Sequence, residues 1–288
     1  MLAPIEIHAP RSVSDASALL RQFGDDAAVY AGGTELLIVM KERLTPVNRL
    51  IDIKKIDGLR EIARDESGAL TIGALATHRD IARSPLVRST RRTSPRWKES
   101  SPTRGCGRRA PSEAISVSPN RIPIQPRCWP RSGIGHAGIV RWQPRVPVEE
   151  FFHGLLETDR QADEIMTKIT LPALWNTTGV SYQRFKTHER PVATVAAAVS
   201  VKDGVIDDAR VVVGSVGPKP QRMRTVEETI RGQESGLPLF QQAGMLAASE
   251  AEIDEEGFES ADYKRHLVAV YVQKALQNAA DQAKARQS

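Results

Sequence analysis

Between Arg88 and Val146 the chain has no Leu, Phe, Tyr, Met or Asp. Leucine is ordinarily among the commonest residues, and no helical or alternating apolar period survives across this span. The same stretch holds both cysteines, three of the four tryptophans (Trp97, Trp129, Trp142) and eight of the eighteen prolines. It carries 13 of the 40 Lys/Arg but 2 of the 35 Asp/Glu, a local charge of +11. The remaining residues, 27 basic against 33 acidic, sum to −6, so the overall +5 arises in this one segment. A folded core must therefore be sought in the flanks.

Three causes would produce such a segment. A basic, Pro-rich disordered linker is one, although three tryptophans and almost no acid fit it poorly. A contact with single-stranded nucleic acid, through phosphate pairing and tryptophan stacking, is the second. The third is a shift of reading frame, in which each true codon joins the last base of one codon to the first two of the next. From Arg109 the successive junctions then permit Gly, Thr, Ile, Gly, Gly, Asn and Leu. Continued, GTIGGNLCFAEPHSDPATLLA is one allowed reading. Two junctions leave no choice: Trp129–Pro130 gives Ala and Trp97–Lys98 gives Glu. Leu and Asp reappear in the shifted reading. A frame slip near Ser89, restored before Val146, accounts for the composition best.

At 288 residues the chain is long enough for two domains, at roughly 150 residues each. It has no apolar run of about 18 residues, and MLAPIEIHAPRSVSD lacks the basic-then-apolar order of a signal peptide. A cytoplasmic protein with no membrane insertion is the expectation. Cys106 and Cys128 form neither a CxxC pair nor a disulfide framework, so no metal site and no iron–sulfur cluster is expected on this chain.

The flanks read as ordinary folded protein. SVSDASALLRQF, from Ser12 to Phe23, predicts a capped helix with an apolar face. Strands are expected at Ala28–Tyr30, Leu50–Ile53 and Ala69–Gly73, the last after a turn at Asp65–Gly68. Thr77 to Ala82 suggests a helix start. Beyond the segment, Ile165–Leu171 reads as a strand closed by Pro172, and a second domain begins near Gly179. In it, the apolar run Val192–Val201 and the return strand Val205–Val213 flank Asp203-Gly204, a strong hairpin signal. Asp262 to Lys284 reads as an amphipathic helix.

Gly32-Gly33-Thr34 follows a strand, and the missing side chains let backbone amides approach a ligand closely. Successive amides in such a turn make a concave anion site suited to a pyrophosphate, and Thr34 adds a hydroxyl. Alone, such a pair is weak evidence, since a Gly-Gly turn is more often only a turn. It is not GxGxxG, and no Walker lysine follows in register.

Together, AGGTELL, TIGALATHRDIARSPLV, VPVEEFF, DEIMTKITLP, YQRFK and VVVGSVGPKPQR resemble, in order, the flavoprotein subunits of the xanthine dehydrogenase and carbon monoxide dehydrogenase family. That family's second FAD signature has the form TIGGN followed by an acidic, Pro-containing stretch, which the shifted reading supplies. The resemblance implies an α+β chain: a two-part FAD-binding domain of the PCMH type over residues 1–175, then a smaller α/β C-terminal flavoprotein domain over 178–285. It implies FAD held at Ala31, Gly32, Gly33, Thr34, Glu35 and Leu36, chiefly by backbone amides. Lys186 matches a basic position near the flavin, the alternative being a solvated surface charge. His78 is expected to cap or pack beside its helix, and no residue is assigned a catalytic role. The implied partners are a large molybdopterin-binding subunit and a small 2Fe-2S subunit, with no nucleic acid. Electrons would pass through this chain to NAD, oxygen or a quinone. A degenerate relic that keeps the fold without FAD is the alternative.

Overall fold

The computed structural model describes residues 4–89, 136–140, 145–154, 157–173, 177–187, 191–255 and 259–287. Both cysteines and the shifted TIGGN reading lie outside the described residues. The chain divides into two compact units that meet in sequence at Ala173–Leu174.

In the first unit, strands β1 (Glu6–His8), β2 (Ala27–Tyr30) and β3 (Arg49–Asp52) form a parallel sheet in the order β1-β3-β2. Between them run helices α1 (Val13–Phe23) and α2 (Thr34–Lys41). Ser12 caps α1, its hydroxyl accepting from the Asp15 amide at 3.0 Å. Successive strand residues point to opposite faces, and the sheet uses both. Val29 and Ile51 cluster with Ala16 and Leu20 of α1, whereas Ala28 and Leu50 cluster with Leu36 and Met40 of α2. Burial on two faces is what permits a parallel sheet. Strand β3 stops one residue before the expected Ile53, because the Asp52 carboxylate accepts from the Lys54 amide at 3.0 Å and starts a 3-10 turn.

A second sheet of the same unit is antiparallel, in the order β4-β5-β10-β6-β7. Its members are β4 (Ile62–Arg64), β5 (Leu70–Gly73), β6 (His136–Val140), β7 (Arg145–Pro147) and β10 (Ile165–Leu171). The Asp65–Gly68 turn joins β4 to β5, with Gly68 N–H bonded to Asp65 C=O at 3.0 Å. Helices α3 (His78–Arg83) and α4 (Pro85–Ser89) follow, and then α5 (Val148–Phe151) and the hairpin of β8 (Phe152–Gly154) and β9 (Glu157–Thr158). Thr77 and Asp80 form a capping box on α3, so the cap is Thr77 and His78 is the first helical residue. One feature departs from the sequence reading. No period reached as far as Val146, yet β6 and β7 fall before or across it as strands. Backbone pairing along the edge of β10 needs no side-chain pattern. Below β10, the Arg160 guanidinium donates to the carbonyls of Gln161, Ala162 and Glu164. Burial lowers its pKa, while Glu164 and Asp163 oppose that shift.

The second unit begins with a four-stranded antiparallel sheet, β11 (Thr178–Phe185), β12 (Ala193–Lys202), β13 (Val205–Gly214) and β14 (Gln221–Arg222), paired in sequence order. Asp203 and Gly204 turn β12 into β13 with φ of 50° and 82°, the two positive angles of a type I′ hairpin. Helices α6 (Arg224–Ile230), α7 (Leu237–Glu250) and α8 (Ala261–Lys284) complete the unit. Val195, Ala197, Val199, Val211 and Val213 share one core with Phe240, Leu267, Val268, Val272, Ala275 and Leu276. Val270 and Tyr271 sit at its half-buried margin. Strand β11 lies so close to α8 that a Cβ on Gly179 would fall 1.9 Å from the Ala279 carbonyl oxygen. Within the core, Glu227 accepts from the Val211 amide at 2.9 Å and pairs with Arg222 at 2.8 Å. The carboxylate is thus buried with its charge and its hydrogen bonds both satisfied.

Candidate functional site

Strands β2 and β3 run side by side in the same direction and end together, Tyr30 paired with Asp52. Ligands of open parallel sheets bind beyond such carboxyl ends. Here β2 gives way to Ala31, Gly32 and Gly33, and α2 then starts at Thr34. Gly33 is the N-cap, with φ 77° and ψ 0°, and it supplies no side-chain bond to the helix. The first internal bond is Leu37 N–H to Gly33 C=O, at 2.8 Å. The amides before Leu37 have no partner within the helix, and they sit at the positive end of its dipole. A row of outward amides on a left-handed turn is an anion cradle.

The structure brings the expected residues Ala31 to Leu36 into that one turn, but not as a loop throughout. The sequence places Thr34 in the turn with Gly32 and Gly33; the structure makes it the first residue of α2. TELLIVMK is apolar almost all round, which hid the helical period, yet Leu36, Val39 and Met40 are the buried face. Leu36 points into the core beside Ala28 and Leu50, so only its backbone is available to a ligand. Lys186 belongs to the chain's other unit, exposed and one residue past the end of β11. Its neighbour Phe185 meets Tyr271 and Tyr263 at ring-centroid distances of 6.0 and 6.1 Å.

Three residues at this sheet end carried no signal in the sequence. The Lys54 ammonium lies 4.2 Å from the centroid of the Tyr30 ring and 3.2 Å from the Asp52 carboxylate. The ring edge of Tyr30 in turn occupies the place a side chain on Gly33 would need, with Cε2 2.4 Å from the position of a Cβ. Only the parallel pairing of β2 with β3 brings residues 30, 52 and 54 together. Among the described residues no group of three or more His, Cys, Asp or Glu could hold a metal ion. No helix among them is long and apolar enough to cross a membrane.

Residues 3–102 match the family described as the FAD binding domain in molybdopterin dehydrogenase. Residues 180–279 match the CO dehydrogenase flavoprotein C-terminal domain. The chain belongs to the FAD-binding subunits of the molybdenum hydroxylases. It is an oxidoreductase subunit of that family, and its cofactor is FAD. The chain is 29% identical to the carbon monoxide dehydrogenase medium chain of Hydrogenophaga pseudoflava, over 96% of this chain and 97% of that one. It is 26% identical to the nicotine 6-hydroxylase medium subunit of Paenarthrobacter nicotinovorans, over 96% and 97%. Among solved structures it is similar to a carbon monoxide dehydrogenase of Hydrogenophaga pseudoflava lacking the Mo-pyranopterin moiety of its molybdenum cofactor. There the TM-score is 0.83, with 27% identity and 99% of each chain covered. The two-domain α+β architecture is that of these flavoproteins. The first match stops at residue 102, inside the aberrant segment, and the relatives named here are a dehydrogenase chain and a hydroxylase subunit.

The residues present fit one part of the cofactor. Gly33 has no Cβ to collide with the Tyr30 ring, so the left-handed turn can form, and the amides of α2 suit a pyrophosphate.

Proposed function

We propose that the amides from Ala31 to Leu36 hold the FAD pyrophosphate, with Thr34 and Glu35 at contact positions and Lys186 near the flavin. The observation that carries this reading is the left-handed Gly33 at the start of α2, beyond the carboxyl ends of two parallel strands. FAD supplies the exchange of electrons, and the chain binds, orients and tunes it. A lysine at position 186 would favour added negative charge on the flavin.

In this reading the chain is the electron-output subunit of a three-part cytoplasmic enzyme. Substrate is hydroxylated at a molybdenum cofactor on a large molybdopterin-binding partner. Electrons come through a small 2Fe-2S partner and leave from this chain to NAD, oxygen or a quinone. The medium-chain names of its relatives support that division of labour, as does the scarcity of cysteine here.

The working protein carries, on the same reading, the frame-restored segment with its TIGGN-type loop as the second half of the cradle. Resequencing the codons from Ser89 to Val146 tests this directly. A missing base near the start and a compensating change near the end are expected. If the DNA confirms the frame, the chain is a damaged flavoprotein subunit. The sequence as it stands is predicted to retain FAD weakly, and its frame-restored version to purify yellow with one flavin per chain. Flavin absorbance per chain after gel filtration decides it. Full flavin on the sequence as it stands overturns the need for the second loop.

A further inference from the structure

We propose that Tyr30 is a positioning residue for the amide cradle, and that Lys54, anchored by Asp52, braces its ring. The ligand in this inference rests on the reading above; the brace does not.

Glycine takes positive and negative φ about equally well, so a cradle that depends on Gly33 at 77° needs something outside Gly33 to hold it there. The space beside its α-carbon is closed from two sides. Tyr30 Cε2 and Cδ2 come within 2.4 and 3.2 Å of where a Cβ would be, and Leu37 Cδ1 within 3.3 Å. Leu37 is on α2 itself and moves with it. Tyr30 belongs to β2, so its ring is the contact that ties the turn to the sheet.

A tyrosine ring at the end of a strand holds a neighbour only if its own rotamer is fixed. Lys54 lies against the ring, 4.2 Å from its centroid, within reach of a cation–π attraction. Lysine is by itself a flexible brace. Its freedom is removed by Asp52, whose carboxylate takes the Lys54 ammonium at 3.2 Å and the Lys54 amide at 3.0 Å. Asp52 is the register partner of Tyr30. The contacts therefore run from the end of β3 through Lys54 and the Tyr30 ring to Gly33, and so set the direction of the first amides of α2. The Tyr30 atoms nearest the place of a Gly33 Cβ are ring carbons, not the phenol hydroxyl.

The test uses the full chain and four variants, Tyr30→Leu, Tyr30→Phe, Lys54→Met and Lys54→Arg. Hydrogen–deuterium exchange is followed without ligand, and FAD affinity by quenching of flavin fluorescence. Tyr30→Leu and Lys54→Met should speed exchange in the peptide covering residues 31–38 by about threefold or more. Tyr30→Phe and Lys54→Arg should leave it unchanged, because a ring and a cation remain. Peptides from β12 and α8 should not respond in any variant. Where FAD binds, its Kd should rise by a similar factor in the first two variants alone. Unchanged exchange at 31–38 in Tyr30→Leu overturns the brace. A weaker Kd in Lys54→Met with unchanged exchange also overturns it, since Lys54 would then act by charge alone. If exchange responds as expected but the chain, its variants and the frame-restored version all ignore FAD, the brace stands and the assignment of the cradle to FAD falls.

Discussion

Gly33 and Gly204 share a left-handed backbone, with φ of 77° and 82°, but they answer to different constraints. Gly204 closes the hairpin between β12 and β13, and nothing lies within 4 Å of the place its Cβ would take. Its sequence position demands an angle and no more. Gly33 meets the same angular demand while a tyrosine ring fills the space where a side chain would begin. It also stands at the start of a helix, beyond two parallel strand ends. A glycine that supplies only shape belongs to the fold. One that supplies shape and room at such a place marks a surface that backbone amides are meant to expose.

The two demands can be separated by substitution. The largest effect should come where room alone is at stake, at Gly179. An alanine there would drive its Cβ to 1.9 Å from a backbone oxygen of α8, which has no rotamer to yield. Overpacking of this kind costs about 3 kcal/mol. The expected result is a clear fall in the urea midpoint of the unit built on β11–β14, and a loss below about 1 kcal/mol would contradict the close approach of β11 to α8. Gly33→Ala combines both demands. A left-handed alanine costs about 1–2 kcal/mol, and pushing the Tyr30 ring off its rotamer adds about 0.5–1 kcal/mol. FAD retention should fall with it. In a Tyr30→Ala background the added part should vanish, leaving the angular cost alone. A double-mutant cycle reads that difference directly.

How much of this was legible in the sequence depends on whether the signal was local. Ser12, Thr77 and the Asp203-Gly204 turn act over two or three residues, and the structure has each where the sequence put it. Strands β5, β10 and β12 carried their own apolar patterns, as did α8. Two things were not local. The helical start at Thr34 was masked because TELLIVMK is apolar nearly all round, although only Leu36, Val39 and Met40 form its buried face and Ile38 is exposed. The grouping of Tyr30, Asp52 and Lys54 exists only through strand pairing across 22 residues of chain. Spacing alone could not suggest it. The strand at His136–Val140 was invisible for a third reason: it joins the sheet through its backbone, within a segment whose side chains follow no period.

The smallest effect is expected at Gly204, and it calibrates the others. With open space around the missing Cβ, alanine there should lose only the left-handed preference, about 1 kcal/mol. Asparagine, which tolerates that conformation better, should lose less than alanine. Both variants should keep the FAD retention of the parent chain, because the hairpin holds none of the residues proposed to contact FAD. The urea midpoint and flavin content of the two variants are the measurements. A loss at Gly204 equal to that at Gly33 would mean that the Tyr30 ring yields at no cost. The contrast between shape and room would then fail at the residue where it carries the functional argument.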